Sequence, residues 1–222
     1  MTTRSRQLAT HHIAKVIERL AGPDAVPRED QIDAVAATIA EKSRVLVVQA
    51  TGWGKSAVYW AATSALRSLG LGPTLVVSPL LALMRNQVQA ATKAGLSAAT
   101  INSSNLDDWD DIYTKLKNDE FDVLLISPER LGNPRFAAQL DELLTRVGLV
   151  VIDEAHCISD WGFDFRPDYQ SLARYPSCAG PNGFVDRVCG GFYRGANAPV
   201  VRGRWQSMYR FQGSLVPDRC PI

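Results

Sequence analysis

Short apolar runs alternate with helix-patterned stretches along the first two thirds of this chain. The apolar runs are VLVVQ at 45–49, TLVVS at 74–78, DVLLIS at 122–127 and LVVID at 149–153. The other stretches predict helices over 31–41, 55–69, 80–94 and 134–146. Near-continuous apolar strands separated by helices are typical of a parallel sheet covered on both faces. We therefore predict a three-layer α/β domain that binds ligands at the carboxyl ends of its strands.

The composition changes after about Tyr175. Lys and Glu disappear, whereas Gly, Arg, Pro, Cys and aromatic residues crowd a segment with no sustained helical or strand period. We therefore expect one folded domain over 1–175 and an irregular or disordered tail over 176–222. The break also suggests a truncated or frame-shifted product of a longer gene.

Charge and cysteine content restrict the classes of partner. The chain has 24 Lys and Arg against 23 Asp and Glu, so a nucleic-acid site has to be local. Four widely spaced cysteines, with no CxxC pair, predict free thiols and no structural zinc: Cys157, Cys178, Cys189 and Cys220. No signal sequence or bilayer-spanning run is present, which predicts a cytoplasmic protein without membrane contact.

A glycine-containing loop follows the first apolar run and opens a helix. It reads Gln49-Ala-Thr-Gly-Trp-Gly-Lys-Ser56, so glutamine occupies the first glycine position of the general phosphate-loop pattern. Backbone N–H groups at a helix N-terminus can cradle phosphates, Lys55 can neutralise their charge, and Ser56 can bind Mg²⁺. The predicted nucleotide contacts in this loop are Thr51, Gly52, Trp53, Gly54, Lys55 and Ser56. An ordinary glycine turn is the alternative.

Two adjacent carboxylates end the run at 149–153. Asp153 is predicted to bind Mg²⁺, and Glu154 to orient and deprotonate an attacking water. A solvated acidic loop with a core histidine at 156 is the alternative for this segment alone. The two motifs occur in the right order and each follows an apolar strand, which together favours an ATP·Mg²⁺ site.

Several segments resemble the RecQ family of superfamily 2 DNA helicases. They are VVSPLLALMRNQV at 76–88, INSSN at 101–105, LLISPERL at 124–131 and VVIDEAHCISDWGFDFRPDYQSL at 150–172. The resemblance implies a RecA-like fold and ATP-driven 3′-to-5′ unwinding of DNA, with roles in repair and recombination. It also implies that His156 joins Lys55, Asp153 and Glu154 in catalysis, and that Arg28 and Gln31 recognise adenine.

The same resemblance implies a track for single-stranded or forked DNA. Hydroxyl, amide and guanidinium groups suit phosphate contacts, which position a strand without reading its sequence. The implied contacts are Ser78, Arg85, Asn102, Ser103, Ser127 and Arg130. Each of these, taken singly, also fits a capping or surface role.

An aromatic-rich loop after the DEAH segment is the most specific part of the resemblance. Trp161, Phe163, Phe165 and Arg166 are implied to contact DNA and to transmit that contact to the catalytic carboxylate. Phe163 stands where the family has a polar residue, and Asp160 stands where the family usually has glutamine. The alternative is that these aromatics simply cover the edge of the sheet.

A RecQ-like motor hydrolyses ATP between two RecA-like domains, and the sequence offers no second one. We therefore expect nucleotide binding, weak DNA binding, very slow turnover and no unwinding by this chain, with no obligate protein partner. Two other functions remain open, a different superfamily 2 translocase and a non-hydrolysing module that binds ATP or single-stranded DNA. A third possibility is a domain that is not stably folded, because a sheet lacking strands exposes an edge.

Overall fold

A parallel β-sheet is the framework of this chain. A computed structural model describes residues 3–40, 45–50, 52–78, 81–102, 108–133, 136, 139, 142–143, 145–154, 184–190 and 209–212. The strands are β1 (Val45–Gln49), β2 (Thr74–Val77), β3 (Ala98–Ile101), β4 (Val123–Ile126), β5 (Leu149–Asp153), β6 (Phe184–Gly190) and β7 (Tyr209–Gln212). They are ordered β3-β4-β2-β5-β6-β1-β7, and every neighbouring pair is parallel.

Two helices precede β1, and others occupy connections between the strands. They are α1 (Thr3–Ala21), α2 (Glu29–Thr38), α3 (Lys55–Ser68), α4 (Leu81–Lys93) and α5 (Trp109–Lys117), followed by a 3-10 helix at Pro128–Gly132. Parallel neighbours require such crossovers, because each strand has to start again at the same edge of the sheet. Among the helices described, none combines the length and apolar character needed to cross a bilayer.

The core consists of two hydrophobic clusters, one on each face of the sheet. The first cluster packs α1, α2, α3 and α4 against side chains such as Val76, Leu125 and Val151. The second packs α5 and the segment after β4 against the alternate side chains, such as Leu124 and Ile152. Alternation of side chains along each strand produces this division, because successive residues point to opposite faces. The arrangement confirms the predicted three-layer α/β fold.

The predicted strands and three of the predicted helices are present with small changes at their ends. The fourth predicted helix, 134–146, falls largely outside the described residues. Helix α1, strand β3, helix α5 and the 3-10 helix were not among the predicted elements. Strand β3 reads Ala-Ala-Thr-Ile, and alanine has low strand propensity. Helix α5 has only nine residues, so its periodicity is short, although Trp109, Ile112 and Leu116 form its buried face.

The segment beyond residue 175 contains two strands, β6 and β7, where an irregular tail was expected. Strand β6 pairs with both β5 and β1, and β7 pairs with β1 on its other side. Their pairing uses backbone groups, which satisfy β1 without requiring a hydrophobic period in the sequence. The other residues of 176–222 lie outside the described part of the chain, and the boundary at 175 stays a prediction.

Candidate nucleotide-binding site

The loop between β1 and α3 has the backbone of a phosphate cradle. Gly52 and Gly54 have φ angles of 79° and 94°, in the left-handed region that favours glycine. Gly54 directly precedes the first residue of α3, so the loop ends at the free N–H groups of a helix N-terminus. This is the arrangement in which backbone donors and the helix dipole attract an anion.

Lys55 lies at the start of α3 with its ammonium group turned over the loop. Its Nζ donates hydrogen bonds to the carbonyl oxygens of Gln49 and Ala50, at 3.0 and 3.1 Å. The side chain is therefore held above the loop that precedes its own helix. A triphosphate in the loop would meet this positive charge at close range, as the sequence predicted for Lys55.

Helix α2 supports the loop from one side. The Gln31 Nε2 and the Arg28 guanidinium both donate to the carbonyl oxygen of Trp53, at 3.0 and 2.5 Å. The Gln31 Oε1 accepts from the Arg28 backbone N–H at 3.0 Å. The carboxamide thereby uses one of its two N–H groups and one of its two oxygen lone pairs in these bonds. Gln31 and Arg28, both predicted to recognise adenine, lie beside the phosphate loop.

Replacing Gly54 with alanine is expected to damage both the fold and the site. A left-handed backbone costs a non-glycine residue about 1–2 kcal/mol, and a Cβ at Gly54 would lie 2.9 Å from Gln31 Nε2. Gly70→Ala is the matched control, because Gly70 has a φ of 78° with nothing within 4 Å of a Cβ. Denaturant unfolding should show similar losses for both variants, whereas only Gly54→Ala should weaken nucleotide binding. Equal nucleotide affinity in the two variants would contradict the contact with Gln31.

Asp153 ends β5 on the other side of the site. It is only 6% exposed, and its carboxylate accepts hydrogen bonds from Gln87 Nε2, from Ser78 Oγ at 3.5 Å and from the Glu154 backbone N–H at 3.1 Å. Burial raises the pKa of Asp153 to about 6, and the negative charge of Glu154 adds to the rise, while the three hydrogen bonds oppose it. A carboxyl with this pKa is largely ionised at neutral pH, which is the form that binds a cation.

Glu154 has a φ of 51°, a left-handed conformation that is uncommon for a residue other than glycine, asparagine or aspartate. Its backbone N–H bonds the side chain of Asp153, which stabilises the turn at the end of the strand. Strained backbone of this kind is found preferentially at functional sites. The turn places two adjacent carboxylates, which were predicted to have different roles, at the carboxyl end of β5.

The phosphate loop and the acidic turn open onto one cavity of about 380 Å³. The residues that line it are Gly52, Gly54, Lys55, Ser56, Tyr59, Leu83, Asn86, Gln87, Ala90, Asp153 and Glu154. Lysine, a serine hydroxyl and two carboxylates are the groups that a metal-bound triphosphate requires. The sequence predicted these four side chains but none of the residues from α4, whose place in the wall depends on how that helix packs.

A cavity of about 310 Å³ lies elsewhere, next to the residues that precede β2. Lys117 and Tyr113 line it, and both bond to the Glu142 carboxylate, at 2.8 and 2.6 Å. Its charged groups therefore neutralise one another. No glycine cradle or helix N-terminus of the described residues lines this cavity together with a basic group, so the cavity between the phosphate loop and β5 is the candidate site. Within the described residues, no group of three or more His, Cys, Asp or Glu side chains could hold a metal by itself.

The side chains predicted to line a DNA track have different environments. Arg85 on α4 is exposed. The others that are described are at most 8% exposed: Ser78, Asn102, Ser127 and Arg130. The Ser78 hydroxyl contacts Asp153 of the nucleotide site, and its role in a DNA track stays a prediction. Seven further predicted residues lie outside the described part of the chain: Thr51, Ser103, His156, Trp161, Phe163, Phe165 and Arg166.

Comparison with known proteins agrees with this fold and site. A family model described as DEAD/DEAH box helicase matches residues 28–183, and the chain belongs to this family. A solved structure of a hypothetical ATP-dependent RNA helicase from Sulfolobus tokodaii superposes with a TM-score of 0.56 at 20% identity. The match covers 79% of this chain and 49% of that one, and it supports the fold alone.

Sequence relatives narrow the family to RecQ. An ATP-dependent DNA helicase RecQ from Pasteurella multocida is 38% identical over 152 residues, covering 68% of this chain and 23% of the relative. RecQ from Bacillus subtilis is 38% identical over 148 residues, covering 65% and 24%. The ATP-dependent DNA helicase Q-like 2 of Arabidopsis thaliana is 42% identical over 135 residues, covering 58% and 19%. These matches confirm the predicted N-terminal domain of a RecQ-family helicase, and the chain spans less than a quarter of each relative.

Proposed function

We propose that this chain binds ATP·Mg²⁺ in the cavity between the phosphate loop and β5, as the nucleotide-binding domain of a RecQ-like DNA helicase. The observation that carries the proposal is that Lys55 and Ser56 line the same cavity as Asp153 and Glu154. These residues are nearly a hundred positions apart in the sequence. A chance glycine turn or acidic loop would not require the two groups to meet.

Each side chain has a separate role in this proposal. Lys55 exchanges its bonds to the loop carbonyls for bonds to the β- and γ-phosphates, with the backbone N–H groups of the loop as further donors. Ser56 and Asp153 hold the metal ion, directly or through water. When bound, Mg²⁺ neutralises phosphate charge and fixes the orientation of the triphosphate.

Glu154 is the proposed base for the attacking water, because its carboxylate lies next to Asp153 but is not needed for the metal. Phosphoryl transfer depends mainly on positioning and charge neutralisation, and arginines that stabilise transition-state charge contribute roughly 10³–10⁵ in rate. We expect slow ATP turnover from the chain alone, since the arginines of a second RecA-like domain would supply that contribution in a RecQ-like motor.

Adenine recognition by Gln31 agrees with its hydrogen bonds. One N–H and one lone pair of its carboxamide remain for the adenine edge after the bonds to Trp53 and Arg28 are made. Because the same carboxamide bonds the phosphate loop, base binding and phosphate binding would stabilise each other. Guanine presents an acceptor where adenine presents a donor, so the contact would favour ATP over GTP.

DNA is the proposed partner of the wider protein, since the relatives above are named ATP-dependent DNA helicases. Single-stranded or forked DNA, 3′-to-5′ polarity and a role in repair or recombination all belong to this proposal. Of the described residues predicted to contact DNA, Arg85 is the one that is exposed, and it lies on α4. Buried residues such as Arg130 would need a rearrangement before they could reach a strand.

Calorimetric titration of the chain with ATP and with GTP, each with Mg²⁺ and with EDTA, tests the nucleotide part of the proposal. We expect saturable binding that is tightest for ATP with Mg²⁺, and Mg²⁺-dependent phosphate release that is accelerated by single-stranded DNA. Glu154→Gln should retain binding and lose phosphate release. A chain that binds no nucleotide would refute the proposal. Nucleotide binding that Glu154→Gln leaves unchanged, with no DNA-stimulated phosphate release from wild type, would instead support a module that only binds.

A further inference from the structure

One face of helix α4 forms a wall of the nucleotide cavity. The residues that line it are Leu83, Asn86, Gln87 and Ala90, which recur at the spacing of a single helical face. Residues on the adjoining face of the helix, such as Met84 and Ala91, belong to the first hydrophobic cluster. The helix is therefore packed on the sheet while its polar groups reach the site, which fixes the position of Gln87.

The Gln87 side chain connects α4 to two other elements. Its Nε2 donates to the Oδ2 of Asp153 at the end of β5, and it also lies 3.4 Å from the hydroxyl oxygen of Tyr59 on α3. Tyr59 is 2% exposed and lies one turn beyond the phosphate loop. The carboxamide thus joins the helix that follows the phosphate loop to the strand that carries the acidic turn.

Hydrogen bonds restrict the Asp153 carboxylate at both oxygens. The Glu154 N–H bonds Oδ1, while Gln87 and Ser78 bond Oδ2. Of these donors, only Gln87 comes from an element other than the strand ends of the sheet. Removing Gln87 would therefore release the carboxylate on the side that faces α4 and the cavity.

The other end of the same carboxamide is an acceptor without a partner in the described part of the chain. Within the described residues, Gln87 Oε1 is buried and makes no hydrogen bond, which costs about 1–3 kcal/mol for a buried polar atom. Mg²⁺ keeps several of its waters when it binds to proteins, and those waters are strong hydrogen-bond donors. An acceptor next to a metal-binding carboxylate fits such a water.

We propose that Gln87 is a positioning residue for the metal ion, whose Nε2 orients the Asp153 carboxylate and whose Oε1 accepts from a water bound to Mg²⁺. This inference rests on the proposed ATP·Mg²⁺ site. Groups that orient metal ligands from outside the coordination shell typically contribute 10- to 100-fold in metal affinity. Gln87 would contribute to metal-dependent binding and leave metal-free nucleotide binding unchanged.

The test compares Gln87→Met with Gln89→Met. Methionine has nearly the same length as glutamine without its hydrogen bonds, and Gln89 is exposed on the same helix, so the control makes the same substitution away from the cavity. Binding of a fluorescent ATP analogue is measured over a Mg²⁺ series and in EDTA, with thermal melting of each variant. For Gln87→Met we expect about a tenfold rise in the Mg²⁺ concentration at half-saturation, with unchanged affinity in EDTA and an unchanged control.

A second variant, Gln87→Asn, keeps the carboxamide but is one methylene too short to reach Asp153 from α4, and we expect the same rise. An unchanged Mg²⁺ half-saturation in the two Gln87 variants would overturn the inference. Failure of both variants to fold would also overturn it, because Gln87 would then be a structural contact between α4 and β5. If wild type and Gln89→Met bind no nucleotide in a Mg²⁺-dependent way, the proposed function fails instead.

Discussion

Replacing Lys55 with alanine is expected to weaken ATP·Mg²⁺ binding by roughly 10- to 100-fold, because a hydrogen bond to a charged group contributes about 1.5–3 kcal/mol. Without nucleotide, the Lys55 Nζ donates hydrogen bonds to the backbone carbonyl groups of Gln49 and Ala50 on the loop. Ala50 is exposed, so water can replace the lysine there. The loss should therefore appear in nucleotide affinity rather than in stability, which titration and thermal melting would measure separately.

Lys15→Ala is the control for this prediction. Lys15 is exposed on α1, and its replacement removes the same charge from the chain at a different place. If the two variants lose ATP affinity equally, the attraction comes from the net charge of the protein and not from the loop. If Lys55→Ala melts well below wild type without nucleotide, the lysine has a structural role that its contacts do not indicate.

Replacing Asp153 with asparagine is expected to stabilise the nucleotide-free chain and to abolish its stabilisation by ATP·Mg²⁺. The ordinary pKa of 3.8 is raised to about 6 by burial and by Glu154. The folded chain therefore holds this proton more tightly than the unfolded chain, and its stability falls as the pH rises from about 4 to about 6. The difference corresponds to about 3 kcal/mol, which Asp153→Asn would recover above pH 6 because asparagine does not ionise.

Denaturant unfolding from pH 4 to pH 8 measures this effect. Wild type should be less stable than Asp153→Asn at pH 8, and the difference should shrink as the pH falls toward 4, because Asp153 is then protonated in the folded chain and becoming protonated in the unfolded chain. With ATP and Mg²⁺ the order should reverse at pH 8, since a metal ion requires the ionised carboxylate. An Asp153→Asn variant that is less stable than wild type at pH 8 without nucleotide would show that the carboxylate is a net stabilising group.

The nucleotide site could be predicted largely from the sequence because its motifs are local. A phosphate loop needs only a strand, glycines and a helix start in succession, and Lys55 lies where that pattern requires. Gln87 could not be predicted in the same way. Its role depends on the packing of α4 beside β5, and helical periodicity indicates which face is buried but not which strand it meets.

Ser78 illustrates the same limit from another side. The sequence predicted that Ser78 follows a strand, and the family resemblance implied that it contacts DNA. In the structure its hydroxyl lies against Asp153, because β2 and β5 are neighbours in the sheet. Strand order is a property of the whole topology, which hydrophobic patterns do not encode. The same holds for Arg130, whose exposure depends on the packing of the 3-10 helix after β4 against the second hydrophobic cluster.

The two hydrophobic clusters lie on opposite faces of the sheet, so substitutions in one cluster need not disturb the other. The helices that carry the nucleotide site, α2, α3 and α4, all pack on one side of the sheet. Helix α5 and the residues after β4 pack on the other. Substitutions accumulating beneath α5 can reshape that surface while the nucleotide chemistry is preserved, so the two sides are free to diverge at different rates in descendants of one ancestral gene.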